Sequence, residues 1–157
     1  MTKIDDIFKE TFLASDKETI IKDILFDADA IISLVKEDDS NHKRALNVNN
    51  KIQEIGVTRY ISPFTIAEVV TVLSHKASHS EAKKFLEEVR KSDYFELLSL
   101  KEEDNYLADK WFFKQTIKGV SYFDCYNMAL MERYKNQLGG IFSFDEIYKK
   151  NGFKTFS

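Results

Sequence analysis

The segment Ile24-Leu25-Phe26-Asp27-Ala28-Asp29-Ala30 joins an unbroken apolar run to two acids one residue apart. Three consecutive apolar side chains suit a strand buried on both faces, as in a parallel sheet, and the residues after Phe26 begin a helix through Val35. Open α/β sheets hold their ligands at the carboxyl ends of strands, which is where Asp27 stands. Asp27 could equally cap that helix, with Asp29 in the same role. Two acids so close nevertheless make a denser negative spot than capping requires.

Working outward, Met1 to Lys22 reads as an acidic amphipathic helix with Ile4, Phe8 and Phe12 at spacings of four. Downstream, Asn41 to Ile55 is expected as a helix with Ala45, Val48, Ile52 and Ile55 on one face. Thr58 to Ser62 is a short strand closed by the single proline, Pro63, whose fixed φ suits the first turn of a helix to Lys76. Ser78 or Ser80 caps a helix to Lys91, and Tyr94 to Leu98 forms a third strand. Ser99 precedes a helix from Leu100 to about Ile117, with Glu102 placed as in a capping box. Ser121 opens a helix to about Asn136 that Leu138-Gly139-Gly140 stops. Ile141 to Phe144 is then a strand, Asp145 begins a helical turn ended by Gly152, and Phe153 to Phe156 is the last strand. Strands alternating with helices predict an α/β sandwich around a mostly parallel sheet of four to five strands. The expected organisation is one domain over 23–157 with a helical extension over 1–22.

A chain of 157 residues can bury one sizeable core, and 43% hydrophobic with 31% charged residues excludes a disordered or membrane-spanning class. The charge-free runs Ala30 to Val35 and Val69 to Leu73 are far shorter than the roughly 20 residues that span a bilayer. Neither these totals nor the acidic first 20 residues suggest export, so a cytoplasmic protein is expected. The single cysteine, Cys125, agrees with a reducing compartment. A net charge of −3 gives no global attraction for nucleic acid, so any such contact must be local.

Three more acids sit in settings like that of Asp27. Glu68 lies among Ile66, Ala67, Val69, Val70, Val72 and Leu73, where a carboxylate is expensive unless paired or metal-bound. A Lys or Arg partner, or a place at a solvent-facing rim, would also explain it. Asp124 completes Ser121-Tyr122-Phe123-Asp124, a variant capping box, and the same helix start would aim it at the sheet edge. Asp145 follows a strand and could merely cap the next turn, with Ser143 on the same side two residues back. Should these acids converge, each pair repels by about 3 kcal/mol at ~5 Å and an effective dielectric of ~20. Such a cluster needs protons or a cation.

Other residues carry weaker signals. His75 and His79 have a zinc-like spacing but bracket a helix end without a third ligand. His42, Lys43 and Arg44 form a basic tip that could touch phosphate or face solvent. Arg133 could pair with an acid or reach a phosphate. Cys125 reads as packing. No glycine-rich phosphate loop is present.

The order and settings of the acids resemble the PIN-domain family of metal-dependent nucleases, including the VapC-type toxin ribonucleases. The resemblance covers roughly Lys22 to Phe156. It rests on Ile24 to Ala30, on Ser62 to Val70 around Glu68, on Ser121 to Ala129 around Asp124, and on Ile141 to Asp145. His42 with the following Ala45 looks like the family's second helix. The resemblance implies a three-layer sandwich in which Asp27, Glu68, Asp124 and Asp145 hold one or two Mg²⁺ or Mn²⁺ ions, with Asp29 and Ser143 as secondary contributors. It implies hydrolysis of single-stranded or looped RNA, tRNA among the candidates, by a metal-activated water, leaving a 5′-phosphate. His42, Arg44 and Arg133 would be the RNA contacts, and a homodimer and an antitoxin protein the partners. Two departures stand out: Asp29 replaces the more usual Asn or Ser, and the first strand follows a long extension.

Two rivals differ in kind. Leu25-Phe26-Asp27-Ala28-Asp29 also looks like the first motif of haloacid-dehalogenase-type phosphatases, with Asp27 as nucleophile and Asp29 as acid-base, although the usual Gly-Thr after the second acid is missing. A non-catalytic PIN-like module that binds RNA or protein is the other.

Overall fold

The computed structural model describes residues 22–157. The helix expected over Met1 to Lys22 lies, except for Lys22, outside the described residues. Five strands form one sheet: β1 (Asp23–Phe26), β2 (Arg59–Ile61), β3 (Glu96–Leu97), β4 (Leu138–Phe142) and β5 (Thr155–Phe156). Their order is β3-β2-β1-β4-β5, and every neighbouring pair is parallel. The helices are α1 (Ala28–Val35), α2 (His42–Ile55), α3 (Pro63–Lys76), α4 (His79–Lys91), α5 (Glu102–Lys114), α6 (Tyr122–Arg133) and α7 (Glu146–Lys150).

Strand periodicity divides the core into two layers. Ile24 and Phe26 enter the cluster built with α1, α2, α3 and α4, whereas Leu25 enters the one built with α5, α6 and α7. In β4, Phe142 faces the first layer and Ile141 the second. Phe26 meets Phe95 and Phe142 edge-on, both at 5.1 Å between ring centroids. The sheet is thus covered on both faces, giving the expected α/β sandwich, and its β1 carboxyl end is the centre of the sheet.

Two local expectations are corrected. Gly139 and Gly140 do not stop a helix; they lie inside β4, which begins at Leu138. A Cβ at Gly140 would stand 2.6 Å from the Lys154 carbonyl oxygen, so glycine there lets the chain toward β5 come close. The capping acid of α5 is Asp104 rather than Glu102: the Lys101 N–H donates to Asp104 Oδ2 at 2.7 Å. Asp104 is fully buried, and Arg133 Nε contacts its Oδ1 at 2.6 Å, off the hydrogen-bond axis, while Nη2 donates to Oδ2 at 2.7 Å. That buried charge pair, a tertiary feature, fixes where the helix starts.

Candidate active site

Asp27 caps α1, its Oδ1 accepting from Ala28 N–H at 2.8 Å. Strand β1 ends at Phe26, so the cap places the carboxylate at the carboxyl edge of the sheet, 4% exposed. Oδ1 also accepts from Asn127 Nδ2 at 2.9 Å, and Oδ2 from Ser143 Oγ at 2.8 Å. Ser143 Oγ in turn accepts from Asp145 N–H at 3.0 Å, and Asp145 Oδ1 caps α7 through Ile147 N–H at 2.9 Å. The ends of the two central strands are therefore joined through one hydroxyl.

Asp29, one residue inside α1, accepts from Phe144 N–H at 2.9 Å with Oδ2. Its Oδ1 is buried with no hydrogen-bond partner among the described residues. Asp124, in the first turn of α6, accepts from the Tyr148 hydroxyl at 3.0 Å. Glu68, in the middle of α3, is half-buried.

Electrostatics tie the acids together. Burial, then Asp29 and Asp124, push the Asp27 carboxyl well above the usual range. Burial, followed by Asp124 and Asp29, raises Glu68 to about 7. Burial also raises Asp124 to about 6, aided by Asp145 and Asp29 and opposed by the Tyr148 hydroxyl. Asp29 is raised by burial, with Asp145 adding a smaller push. In every case the charged groups acting most strongly on an acid are other acids, so ionising one makes ionising the next harder.

A family model described as the PIN domain matches residues 24–154. The chain belongs to the PIN domain family. Among solved structures, the VapC20 toxin of Mycobacterium tuberculosis, described as cleaving the sarcin-ricin loop, matches with a TM-score of 0.72. The two are 18% identical, over 83% of this chain and 96% of that one, so the likeness is one of fold. No curated protein matches the chain.

Within this PIN domain, Ser143 links Asp27 to the Asp145 backbone, Asp29 accepts from the neighbouring Phe144 N–H, and Glu68 and Asp124 lie within reach of the charge of Asp29. The basic candidates fare unequally. Arg44 is exposed and lies 5.3 Å from the Phe144 ring centre, beside the backbone that binds Asp29. His42 is held by the Ser33 carbonyl, which accepts from Nδ1 at 2.8 Å. Arg133 is occupied by Asp104, Glu103 at 3.6 Å and the Ser99 carbonyl at 2.9 Å, and its side chain is 11% exposed. Those contacts leave no guanidinium for phosphate. His75 and His79 fall on different helices and are exposed. The Cys125 thiol is buried and pushed up to about 11 by burial and Asp124, which keeps it inert.

Sequence reading passed over Asn127 and Tyr148. Besides Asp27, Asn127 Nδ2 donates to the Tyr148 hydroxyl at 3.1 Å, and Asn127 Oδ1 accepts from Thr65 Oγ1 at 3.4 Å. Asp27 and Asp124 are thus linked through two fully or nearly fully buried side chains. The available signal was a polar residue three positions after Asp124 within a buried run from Cys125 to Met131.

A hard cation suits this donor set, which is all oxygen, and among the described residues the Asp29 Oδ1 and the mutually raised carboxyls have no Lys or Arg ion pair. Among the described residues no three Asp, Glu, His or Cys side chains already stand around one point. The site therefore has the charge and the ligand type of a hard-cation site, without a ready-made three-ligand arrangement among the described residues.

Proposed function

We propose that the protein is a Mg²⁺- or Mn²⁺-dependent endoribonuclease that hydrolyses RNA phosphodiester bonds. One observation carries this reading: acids from four distant segments feel one another's charge near the carboxyl end of β1, and among the described residues one buried Asp29 oxygen has no partner. Asp27, Glu68, Asp124 and Asp145 would hold the ion, with Asp29 and Ser143 beside them. The bound ion would lower the pKa of a water and stabilise negative charge on the phosphate.

The chain's own groups set up the rest. Ser143 and Asn127 hold Asp27 in one rotamer, and Tyr148 supports the ionised form of Asp124 by donating to it. Glu68, raised to about 7 without an ion, gives up its proton near neutral pH and so becomes available as a ligand there. Arg44 offers an exposed cation for a neighbouring phosphate.

The VapC20 likeness supports a toxin role; an antitoxin partner, a cytoplasmic place of action and a homodimer belong to the same proposal. Tyr106, 72% exposed, and Phe113, 83% exposed, lie seven residues apart on α5 and offer an apolar surface for the second copy. Among the described residues no helix is long and apolar enough to cross a membrane. A phosphatase using Asp27 as nucleophile is disfavoured by the three hydrogen bonds that pin its two oxygens.

The test is cleavage of labelled tRNA and unstructured RNA with Mg²⁺ or Mn²⁺. Activity lost with chelator and in Asp27→Asn supports the proposal. Equal cutting by wild type and Asp27→Asn overturns it, and RNA binding without cleavage in Mn²⁺ favours the non-catalytic module.

A further inference from the structure

Two aromatic residues neighbour acids of the site along their helices. Phe64 is the second residue of α3, four before Glu68 and so on the same helix face. Phe123 directly precedes Asp124 in the first turn of α6. Their ring centroids are 5.9 Å apart with the planes tilted by 57°, and buried Tyr126 backs Phe64 at 4.5 Å.

Phe123 is 41% exposed. Burying apolar ring surface is favourable, and folding leaves part of this ring in water. Neighbouring Tyr122 has the same exposure, yet its hydroxyl donates to Asp109 and its ring packs edge-on against Tyr126 and Phe112. Among the described residues the ring contact Phe123 makes is with the braced ring of Phe64, and it carries no polar atom to direct elsewhere.

The charge of the site determines what suits this surface. A cluster of carboxylates repels a phosphate backbone wherever a cation does not intervene, so binding energy near it has to come from groups indifferent to that field. Stacking of a base on an aromatic side chain contributes about 1–3 kcal/mol and tolerates any base, because every base has a π-face. In a duplex those faces are covered by neighbouring pairs.

We propose that Phe123, braced by Phe64, stacks on an unpaired base next to the phosphodiester presented to the acids, and that this ring makes the site select single-stranded over duplex RNA. The proposal rests on the nuclease reading given above.

The experiment uses the full chain carrying Asp27→Asn, so that RNA stays uncut. Binding is followed by the fluorescence of mixed-sequence oligoribonucleotides with 2-aminopurine at successive positions, single-stranded and annealed to a complement. The parent should bind the single strand in preference to the duplex and quench 2-aminopurine at one position. Adding Phe123→Ala should weaken single-strand binding about 5- to 100-fold and abolish the quenching, with duplex binding unchanged. Phe123→Trp should restore both, whereas Phe123→Leu, which keeps apolar bulk and protects the fold, should not.

Unchanged binding by Phe123→Ala, or full rescue by Phe123→Leu, overturns the platform alone. So does a Phe123→Ala protein that sediments as a smaller species than the parent yet binds RNA equally, since the ring then belongs to a protein interface. A parent that binds neither form of RNA overturns the nuclease reading and the platform together.

Discussion

Asn127 donates to Asp27 at 2.9 Å although the two are 100 residues apart, and this bond ties the middle of α6 to the end of β1 in a buried site. Thr65 on the carbonyl side and Asp27 and Tyr148 on the amide side occupy the whole Asn127 head group. Removing the head group with Asn127→Leu should cost about 1–3 kcal/mol of stability, measured by urea denaturation, because a buried carboxylate loses a donor. Asn127→Asp should destabilise the chelator-treated protein more than Asn127→Leu, since it adds an acid to the cluster, and added Mn²⁺ should recover part of the difference.

Raised carboxyls fix the direction of the pH dependence. Glu68 at about 7 and Asp124 at about 6 bind protons more tightly in the folded chain than at their ordinary values near 4. Stability from these groups is therefore full below about pH 4 and declines as the pH rises toward about 7. In EDTA, the melting temperature should fall across that window; a rise attributable to these two acids, isolated by Glu68→Gln with Asp124→Asn, would contradict the electrostatics described here.

Neutralising one acid should separate folding from ion binding. Asp124→Asn should melt above the wild type in EDTA at pH 7.5, by about 1 kcal/mol of stability, because a partly buried repulsive charge is gone. Millimolar Mn²⁺ should raise the wild-type melting temperature and leave that of Asp124→Asn nearly unmoved. Differential scanning calorimetry with and without the ion reads both effects.

Close approach at β4 gives a steric prediction. Gly140→Ala places a methyl 2.6 Å from the Lys154 carbonyl oxygen, a backbone atom that cannot swing aside, and should cost about 1–3 kcal/mol. Gly139→Ala meets the Lys22 Cβ at 2.9 Å and should cost less, because Lys22 lies just ahead of β1 and can shift. Chemical denaturation of the two variants ranks them.

Much of this was legible in the chain because burial and polarity conflict visibly in one dimension. A triplet such as Ile24-Leu25-Phe26 suits a doubly covered strand, and an acid at its end is conspicuous. Glu68 announces itself by its apolar neighbours in the same way. Asn127 and Tyr148 did not, since neutral side chains provoke no such conflict and their importance comes from partners 100 and 24 residues away. The start of α5 was misplaced for a related reason. Ser99 and Glu102 satisfy a local capping pattern, but Asp104 is drawn in by Arg133, which lies 29 positions later. Gly139-Gly140 misled because glycine marks both a chain break and a close crossing, and only the neighbour across β5 distinguishes them.

Both margins of the sheet, β3 and β5, are two residues long. So short a rim presents almost no free row of amides and carbonyls for a foreign strand to copy, which guards an otherwise fully parallel array against end-on polymerisation. Among the described residues, the outer helices rather than the sheet margins offer the broader surface for contact, where recognition can be specific and undone.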